Sequence, residues 1–504
     1  MLSFDLSTIL LACILFLSLH YLFRDYLWKS DRNFNLPPGP TGWPILGNLP
    51  SLDPVAPYLS LNKFAEKYGS VFSLRFGSYP VVILNSYKAV KEAYIRHGDD
   101  YNDRPKLVLI EMATKGKGIL FAYSDEVQRT RRRFALQAMR NLGMGKFRLE
   151  EQIAEEINRL VARFESLREK QFCPFADLDK AFCNVICHVA FGKRYDYDDP
   201  KVRRMLINLE RGFIFRIASF SGLVNFLPIL KHLPFGVMKE FKEIQKDGKL
   251  FMEDLIKDVT TNYVKGDPRN FIDMYYDNRD KLIQDKQDDL AAMLDDEDLR
   301  RSVGDLFAAG TETISTTAKW ALLYMMIYPD IQGKVQSELD DVVGRNRLPS
   351  LKDRLNLPYV EATLMEIQRL ACIAPFALPR AATVDTQLFG YDIPKGTLIL
   401  PNIWGILHDG NLWKNPHDFE PTRFLDENGT VIRREELIPF SAGRRKCLGE
   451  QLALMELFLF ITHLLHRFRF SLPEGAPAPS LQGVMGSTLA PSYYEMCVTL
   501  RPMN

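Results

Sequence analysis

Residues 440–449 of this 504-residue chain read FSAGRRKCLG, with Cys447 near the end of the segment. The residues that follow, EQLALMELFLFITHLL, have the apolar spacing of an amphipathic helix. The cysteine therefore lies at or just before a helix N-terminus, and three cations, Arg444, Arg445 and Lys446, directly precede it. Because a helix N-terminus and nearby cations both favour a thiolate, this pattern predicts a lowered pKa for Cys447.

Gly443 and Gly449 flank this cysteine and remove side chains where a flat group or another backbone approaches closely. A thiolate offered from a glycine-edged loop is what an axial ligand of haem iron requires. The alternative for a lone cysteine is a structural role in a loop. The ten-residue segment as a whole favours the ligand interpretation.

The segment resembles the haem-binding signature of the cytochromes P450. It fills every fixed position of that signature, with Phe440, Gly443, Arg445, Cys447 and Gly449. The resemblance implies that Cys447 is the proximal ligand of the iron in haem b and that Arg445 pairs with a haem propionate. It covers nearly the whole chain after the first 36 residues and is strongest to microsomal members of family two.

Residues 307–313 read FAAGTET and lie within a long apolar helical pattern. A glycine and helix-interior threonines weaken and bend a helix, so the segment predicts a local opening. It resembles the family's kinked helix over the distal haem face. The resemblance implies that Thr313 organises proton delivery during oxygen activation, with Glu312 as its acidic neighbour. Ala309 and Gly310 are expected to leave space for oxygen.

Further charged residues match positions that the family uses to hold the fold and the haem. Glu366 and Arg369 form an E-x-x-R pair, and Arg423 matches the third member of a buried triad. We assign this triad to fold stability and haem retention, since breaking a buried charge network leaves an uncompensated ion. Arg132 and Arg380 match further propionate partners, although Gln128 stands where the family usually has Trp.

Other basic residues near these segments are expected to dock an acidic electron donor. They are Arg129, Arg131, Arg133, Arg140, Arg444 and Lys446. The chain as a whole is nearly neutral, with 64 basic and 63 acidic residues, so its composition gives no support for nucleic-acid binding. The odd count of seven scattered cysteines suits a reducing compartment.

The N-terminal residues predict a membrane anchor. Residues 6–23 contain no Lys, Arg, Asp or Glu, and basic residues follow at Arg24, Lys29 and Arg32. A cleaved signal peptide fits less well, because no basic residue precedes the run. We therefore divide the chain into an anchor (1–23), a basic, proline-rich linker (24–40) and a catalytic domain (41–504). The domain is expected on the cytosolic side of the endoplasmic reticulum membrane, with a single span.

The body of the chain is predicted to be mainly α-helical with small β-sheets, as in the cytochrome P450 fold. Helical spacing runs through 153–164, 237–264, 299–328, 359–370 and 450–468, and strand-like runs through 71–76, 80–84, 383–389 and 397–400. Pocket segments by analogy are 108–121, 213–217, 374–378 and 487–489, which are mostly apolar and favour a lipophilic substrate.

The resemblance implies a haem-thiolate monooxygenase that hydroxylates a fatty acid, steroid or xenobiotic. Electrons would come from NADPH through NADPH–cytochrome P450 reductase, with cytochrome b5 as a further donor. Residues 172–197 resemble a vertebrate subfamily that acts on long-chain fatty acids. Two alternatives remain open: a haem-thiolate isomerase or dehydratase of lipid hydroperoxides, and a non-catalytic haem sensor or carrier.

Overall fold

The structure, a computed structural model, describes Ser7 and residues 10–19, 34–144, 147–168, 170–210, 223–227, 231–232 and 237–502. The predicted anchor and the predicted linker therefore lie partly outside the described residues. The pocket segment 213–217 lies wholly outside them. Residues 10–19 are helical. In the described part of the chain, no helix combines the length and apolarity needed to cross a membrane.

Helices dominate the described residues, as the periodicity predicts. They are α1 (Pro57–Tyr68), α2 (Tyr87–Lys91), α3 (Val108–Thr114), α4 (Glu126–Asn141), α5 (Phe147–Ser166), α6 (Phe175–Phe191), α7 (Pro200–Glu210), α8 (Leu223–Phe226), α9 (Val237–Thr260), α10 (Phe271–Gln284), α11 (Asp288–Met293), α12 (Asp296–Ile327), α13 (Pro329–Val342), α14 (Pro358–Ala371), α15 (Ile403–Leu407) and α16 (Glu450–Arg467). Each of the five predicted helical segments overlaps one of these helices.

The strands form one mixed sheet and three two-stranded sheets among the described residues. They are β1 (Val71–Phe76), β2 (Tyr79–Leu84), β3 (Arg380–Ala381), β4 (Thr386–Leu388), β5 (Tyr391–Ile393), β6 (Leu398–Pro401), β7 (Phe468–Ser471), β8 (Val484–Met485), β9 (Leu489–Ala490) and β10 (Cys497–Leu500). The larger sheet has the order β1-β2-β6-β3, with β2 and β6 parallel. The predicted hairpin around Gly77 is present, with Phe76 paired to Tyr79.

Helix α12 is the central element of the helical core. It packs against α6, α14 and α16, and most of its C-terminal half is buried. The Asp295 side chain begins this helix by accepting a hydrogen bond from the Asp298 backbone N–H, an N-cap that satisfies one of its free donors. Two smaller clusters of buried apolar residues lie around the mixed sheet. The helical core and the sheet together place α12 and α16 against one interior cavity.

The proline-rich segment packs against the sheet at its C-terminal end. The carbonyl oxygens of Pro37 and Pro38 accept hydrogen bonds from the side chain and backbone of Ser73 in β1, at 2.7 and 2.8 Å. Gly39 approaches so closely that a Cβ there would lie 1.9 Å from the Ser73 carbonyl oxygen. Contact with the folded body extends back to Asn35, whose backbone N–H donates to the Asp392 carboxylate at 2.8 Å.

Candidate functional site

An interior cavity of about 340 Å³ gathers most of the predicted site residues. Its walls come from α12, the segment 373–380, residues 119–120, the β8–β9 hairpin, and the cysteine loop with the start of α16. The predicted residues that line it are Arg132, Ala309, Gly310, Thr313, Arg380, Phe440, Arg445, Cys447 and Gly449. Glu312, Gly443 and the three triad residues are not among the residues that line it.

The cysteine loop is closed by backbone hydrogen bonds within the signature. The Cys447 N–H donates to the Phe440 carbonyl at 3.0 Å. Gly443 has a φ of +70°, and a Cβ there would lie 1.8 Å from the carbonyl oxygen of Tyr94. Only glycine fits this position, because the loop turns against the backbone of a neighbouring element. A Cβ at Gly449 meets no atom within 4 Å, so that position borders open space.

The pKa of Cys447 differs from the prediction made from its neighbours. Its side chain is accessible, but it opens into the interior cavity rather than onto the outer surface. Burial raises the pKa of the thiol, and this effect outweighs the lowering by the Gly449 N–H, Arg132 and Lys446. The predicted lowering was wrong because sequence shows the cations but not the depth of the cavity.

Four guanidinium groups surround one part of the cavity. They belong to Arg104, Arg132, Arg380 and Arg445, and burial lowers the pKa of each. For Arg380 and Arg445 the pKa falls to about 10. Their hydrogen-bond acceptors are backbone carbonyls and the Ser441 hydroxyl, and no ion pair joins any of the four to a carboxylate among the described residues. The group carries a local excess of buried positive charge.

Two of these arginines retain unused donors at the cavity. Arg445 donates from Nε to the Asn102 carbonyl at 3.0 Å and from Nη2 to the Ala122 carbonyl at 2.7 Å. Its Nη1 has no partner among the described residues, and the same holds for Nη1 of Arg380. Because leaving a buried charged donor unpaired is costly, the arrangement fits an anionic ligand such as a pair of propionates.

Arg104 is a member of this group that the sequence analysis missed. Its side chain is 5% exposed and donates to the carbonyls of Leu120, Leu378 and Pro379. It therefore joins two cavity walls, residues 119–120 and 373–380. A lone arginine before proline gives no local pattern, and its role depends on contacts with residues more than 270 positions away.

The distal wall is formed by α12, which continues as a helix through residues 307–313. The predicted local opening does not interrupt it. Threonine hydroxyls instead donate back to carbonyls one turn earlier, with Thr313 bonded to the Ala309 carbonyl at 2.6 Å. A Cβ at Gly310 would lie 2.7 Å from Cδ1 of Ile186. The missing side chain at Gly310 thus admits Ile186 of α6, in addition to bordering the cavity.

Comparison with known proteins decides the family. The cytochrome P450 family model matches residues 37–498, which is most of the chain. The chain belongs to the cytochrome P450 family. Its relatives include human cytochrome P450 2U1, 41% identical over 496 residues, covering 94% of this chain and 91% of the relative. Rat cytochrome P450 2J3 is 40% identical (98% and 96% covered), and rat cytochrome P450 2D10 is 38% identical (97% and 96% covered).

Membership of this family establishes the chain as a cytochrome P450 monooxygenase. The family binds haem, iron protoporphyrin IX, through a cysteine thiolate. The residues of the cavity fit that group: a cysteine opens into it, most of its lining is apolar, and buried guanidinium donors remain for the propionates. The expectation of a cytochrome P450 monooxygenase that binds haem is confirmed.

The three triad residues of this cytochrome P450 come together where α14, which carries Glu366 and Arg369, packs against the short 3-10 helix Pro421–Phe424, which carries Arg423. Glu366 and Arg369 are both fully buried and share two hydrogen bonds, at 2.7 and 2.8 Å. The Nε of Arg423 donates to the same carboxylate at 2.9 Å. The Glu420 backbone N–H completes the set at 3.0 Å. The carboxylate is therefore fully compensated, which is the condition under which a buried ion is tolerated.

The basic surface expected for an electron donor is smaller than the sequence suggested. Arg131 is 6% exposed and pairs with buried Asp298 at 2.8 Å, so it faces the interior of this cytochrome P450. The other five members remain exposed. Gln128, at the position where the family usually has Trp, is 3% exposed, and its backbone N–H donates to the N-cap residue Asp125.

Proposed function

We propose that this cytochrome P450 is a membrane-anchored haem-thiolate monooxygenase that hydroxylates a lipophilic substrate. Electrons come from NADPH through a flavoprotein reductase, with cytochrome b5 as a second donor. The main supporting observation is that Cys447, Thr313 and Ala309 line one apolar cavity, which three buried arginines and the half-buried Arg132 border. A cavity of this kind suits a flat, apolar, dianionic cofactor together with an apolar substrate.

In this proposal Cys447 would hold the haem iron through its sulfur, and Arg132, Arg380 and Arg445 would bind the propionates, with Arg104 as a fourth partner. Haem supplies, when bound, the redox chemistry that activates dioxygen and inserts one oxygen atom into a C–H bond. Burial raises the pKa of Cys447, whereas Arg132 and Lys446 favour the thiolate form in which this residue would bind the iron.

Thr313 holds the proton that the reaction needs at its hydroxyl. The Oγ1–H now donates to the Ala309 carbonyl at 2.6 Å, so rotation about one side-chain bond redirects it into the cavity. Glu312, the adjacent residue, is partly buried and burial raises its pKa, so we assign it as the acid that replenishes the hydroxyl. The mostly apolar cavity lining around Thr313 limits unproductive proton entry.

The substrate is held by shape, with few polar anchors. All of residues 374–378 line the cavity, together with Leu398, Leu400 and Leu457. The segment 108–121 contributes Ile119, and 487–489 contributes Ser487 and Thr488. These walls favour a long-chain fatty acid, a steroid or a xenobiotic of similar size.

Membrane attachment and electron supply complete the proposal. The uncharged run at residues 6–23 inserts into the endoplasmic reticulum membrane, and the domain lies in the cytosol. The exposed basic residues Arg129, Arg133, Arg140, Arg444 and Lys446 form the surface that meets the acidic donor. Deleting residues 1–23 is expected to release the protein from alkali-washed microsomes; retention there would contradict the anchor.

The ligand assignment is tested with the reduced carbon monoxide spectrum of the purified holoprotein. Wild type is expected to show the red-shifted Soret band of thiolate ligation, and Cys447→Ser to lack it. Cys497→Ser is the matched control, because Cys497 lies in β10, outside the cavity lining. A thiolate-type band in Cys447→Ser would overturn the assignment.

Turnover distinguishes this function from its alternatives. Reconstitution with reductase, NADPH and a panel of fatty acids and steroids is expected to give a product heavier by one oxygen atom. Product from a lipid hydroperoxide without NADPH, and none from the panel, would favour the isomerase. A normal thiolate spectrum with no product from either would favour a haem sensor or carrier.

A further inference from the structure

The β8–β9 hairpin is fastened to the distal helix by its backbone and its side chains. Met485 pairs with Leu489 across the hairpin. The indole N–H of Trp320 in α12 donates to the Leu489 carbonyl at 2.8 Å, and the Leu489 N–H donates to the Ile373 carbonyl at 2.8 Å. The hairpin is therefore a fixed part of the wall between α12 and the segment 373–380.

The tip of this hairpin holds the acidic side chain of the distal helix. Oε1 of Glu312 accepts hydrogen bonds from the hydroxyl of Ser487 and, at 3.1 Å, from that of Thr488. Thr488 Oγ1 also lies 3.2 Å from Oγ1 of Thr316, one turn further along α12. Two hydroxyl groups thus converge on a single carboxylate oxygen.

Glu312 and Thr313 are neighbours in sequence but are held by different elements. The hydroxyl of Thr313 donates within its own helix, to Ala309. The carboxylate of Glu312 contacts the hairpin instead. Successive residues on a helix point about 100° apart, so this separation follows from the helical geometry. The hairpin therefore determines where the acid is held before it serves the hydroxyl.

We propose that Ser487 and Thr488 are positioning residues that hold the Glu312 carboxylate and set its protonation. This inference rests on the proton-delivery role proposed for Glu312 above. Because Met485, Ser487 and Thr488 also line the cavity, the acid is held by a wall that a substrate touches. Removing the two hydroxyls would leave the partly buried Glu312 carboxylate with fewer hydrogen-bond donors, and it would then ionise less readily.

The charges around Glu312 are consistent with control by these hydroxyls. Burial is the main effect on the Glu312 pKa and raises it, and the hydrogen bond from Thr488 is the largest opposing effect. Lys319 lowers the pKa further, whereas Asp179 and Glu210 raise it. Lys319 is itself paired with Asp179 at 2.6 Å, which reduces its influence on Glu312.

The test measures the carboxyl group directly, in the resting ferric holoprotein. The infrared C=O stretch of protonated Glu312 is titrated against pH and identified by its loss in Glu312→Gln. The variant with Ser487→Ala and Thr488→Val is expected to raise the midpoint by roughly one pH unit, the effect of losing hydrogen bonds to a charged group. An unchanged or lowered midpoint would overturn the proposal.

Two further variants separate positioning from a general structural effect. Exchanging the hydroxyl residues as Ser487→Thr with Thr488→Ser keeps both donors and is expected to keep the wild-type midpoint. Ser480→Ala is the matched control, because Ser480 is exposed on the same C-terminal segment and its hydroxyl accepts from Gln482. The titration needs no turnover, so its outcome is independent of whether the carbon monoxide spectrum and product assays support the proposed function.

Discussion

The α-carbon of Gly443 packs against the carbonyl oxygen of Tyr94 so closely that a Cβ would lie 1.8 Å from that oxygen. Tyr94 is itself fixed, since its ring is 1% exposed and lies under the guanidinium group of Arg380, with Cζ 3.5 Å from the ring centroid. The cysteine loop, a buried aromatic ring and a cavity arginine thus form one packed unit. Changes at residue 443 should therefore reach the cofactor site.

Gly443→Ala is expected to destabilise the protein and reduce haem incorporation. The added Cβ clashes with backbone, which cannot rotate away, and the φ of +70° adds strain of about 1–3 kcal/mol. Thermal unfolding and the yield of the thiolate-type spectrum measure the two effects. Gly333→Ala, at a helical position with nothing within 4 Å, should not lower the unfolding temperature. Equal unfolding temperatures for both variants would refute the steric argument.

Arg423→Ala is expected to destabilise the fold by about 3–5 kcal/mol, because it leaves the buried Glu366 carboxylate without one of its compensating charges. Chemical denaturation of the holoprotein measures this loss. Lys91→Ala, which removes a partner of exposed Glu435, is the control and should leave the midpoint near that of wild type. If both variants unfold at the wild-type midpoint, the triad does not stabilise the fold.

We expect Asp305 to make a pH-dependent contribution to the free energy of unfolding. Burial raises its pKa from 3.8 to about 6, although the N–H groups of Ile119 and Leu120 oppose the shift. As the pH rises from about 4 to 6, the unfolded state releases this proton at a lower pH than the folded state does. The free energy of unfolding therefore falls by up to roughly 3 kcal/mol. The Asp305→Asn variant has no carboxyl group to titrate at this position, so its free energy of unfolding does not fall in this way. Its stability relative to wild type should therefore rise across that pH window and then level off. Melting curves from pH 4 to 7.5 test this; a constant difference would contradict it.

Thr313→Ala is expected to separate NADPH consumption from product formation and to raise peroxide release, since the hydroxyl that delivers protons is lost. The ratio of product to NADPH consumed measures the effect. Thr311→Ala removes an equivalent hydroxyl that donates to the Phe307 carbonyl at 2.8 Å, outside the cavity lining. Its ratio should stay near wild type. Matching ratios in the two variants would exclude a special role for Thr313.

Sequence patterns predicted the regular parts of this fold well. The run 71–76 and the turn at Gly77 combine strand alternation with a turn residue, so the β1–β2 hairpin could be placed almost to the residue. The two-residue strands β8 and β9 have no such pattern. They exist because Leu489 is bonded to α12 and to residue 373, and contacts of that range are not visible in a single sequence.

The site could be predicted where its residues have a fixed local spacing in the sequence. It was harder to predict where a residue's properties depend on how deeply the residue is buried. Phe440 to Gly449 carry their geometry in ten consecutive positions, and the loop closes as that spacing implies. The thiol pKa of Cys447 and the inward orientation of Arg131 depend on burial, which neighbouring residues in sequence do not reveal. Arg104 joins the site through the backbone carbonyls of Leu120, Leu378 and Pro379, which no local sequence pattern predicts.

Because Ile186 of α6 packs directly against Gly310 of α12, the side-chain volumes at these two positions depend on each other. A larger side chain at residue 310 requires a smaller one at residue 186. Libraries that aim to change the shape of the cavity should therefore vary both positions together. Single-site libraries at either position would discard combinations that fold. Fitness at one locus would then depend on the allele at the other, which is pairwise epistasis with a steric origin.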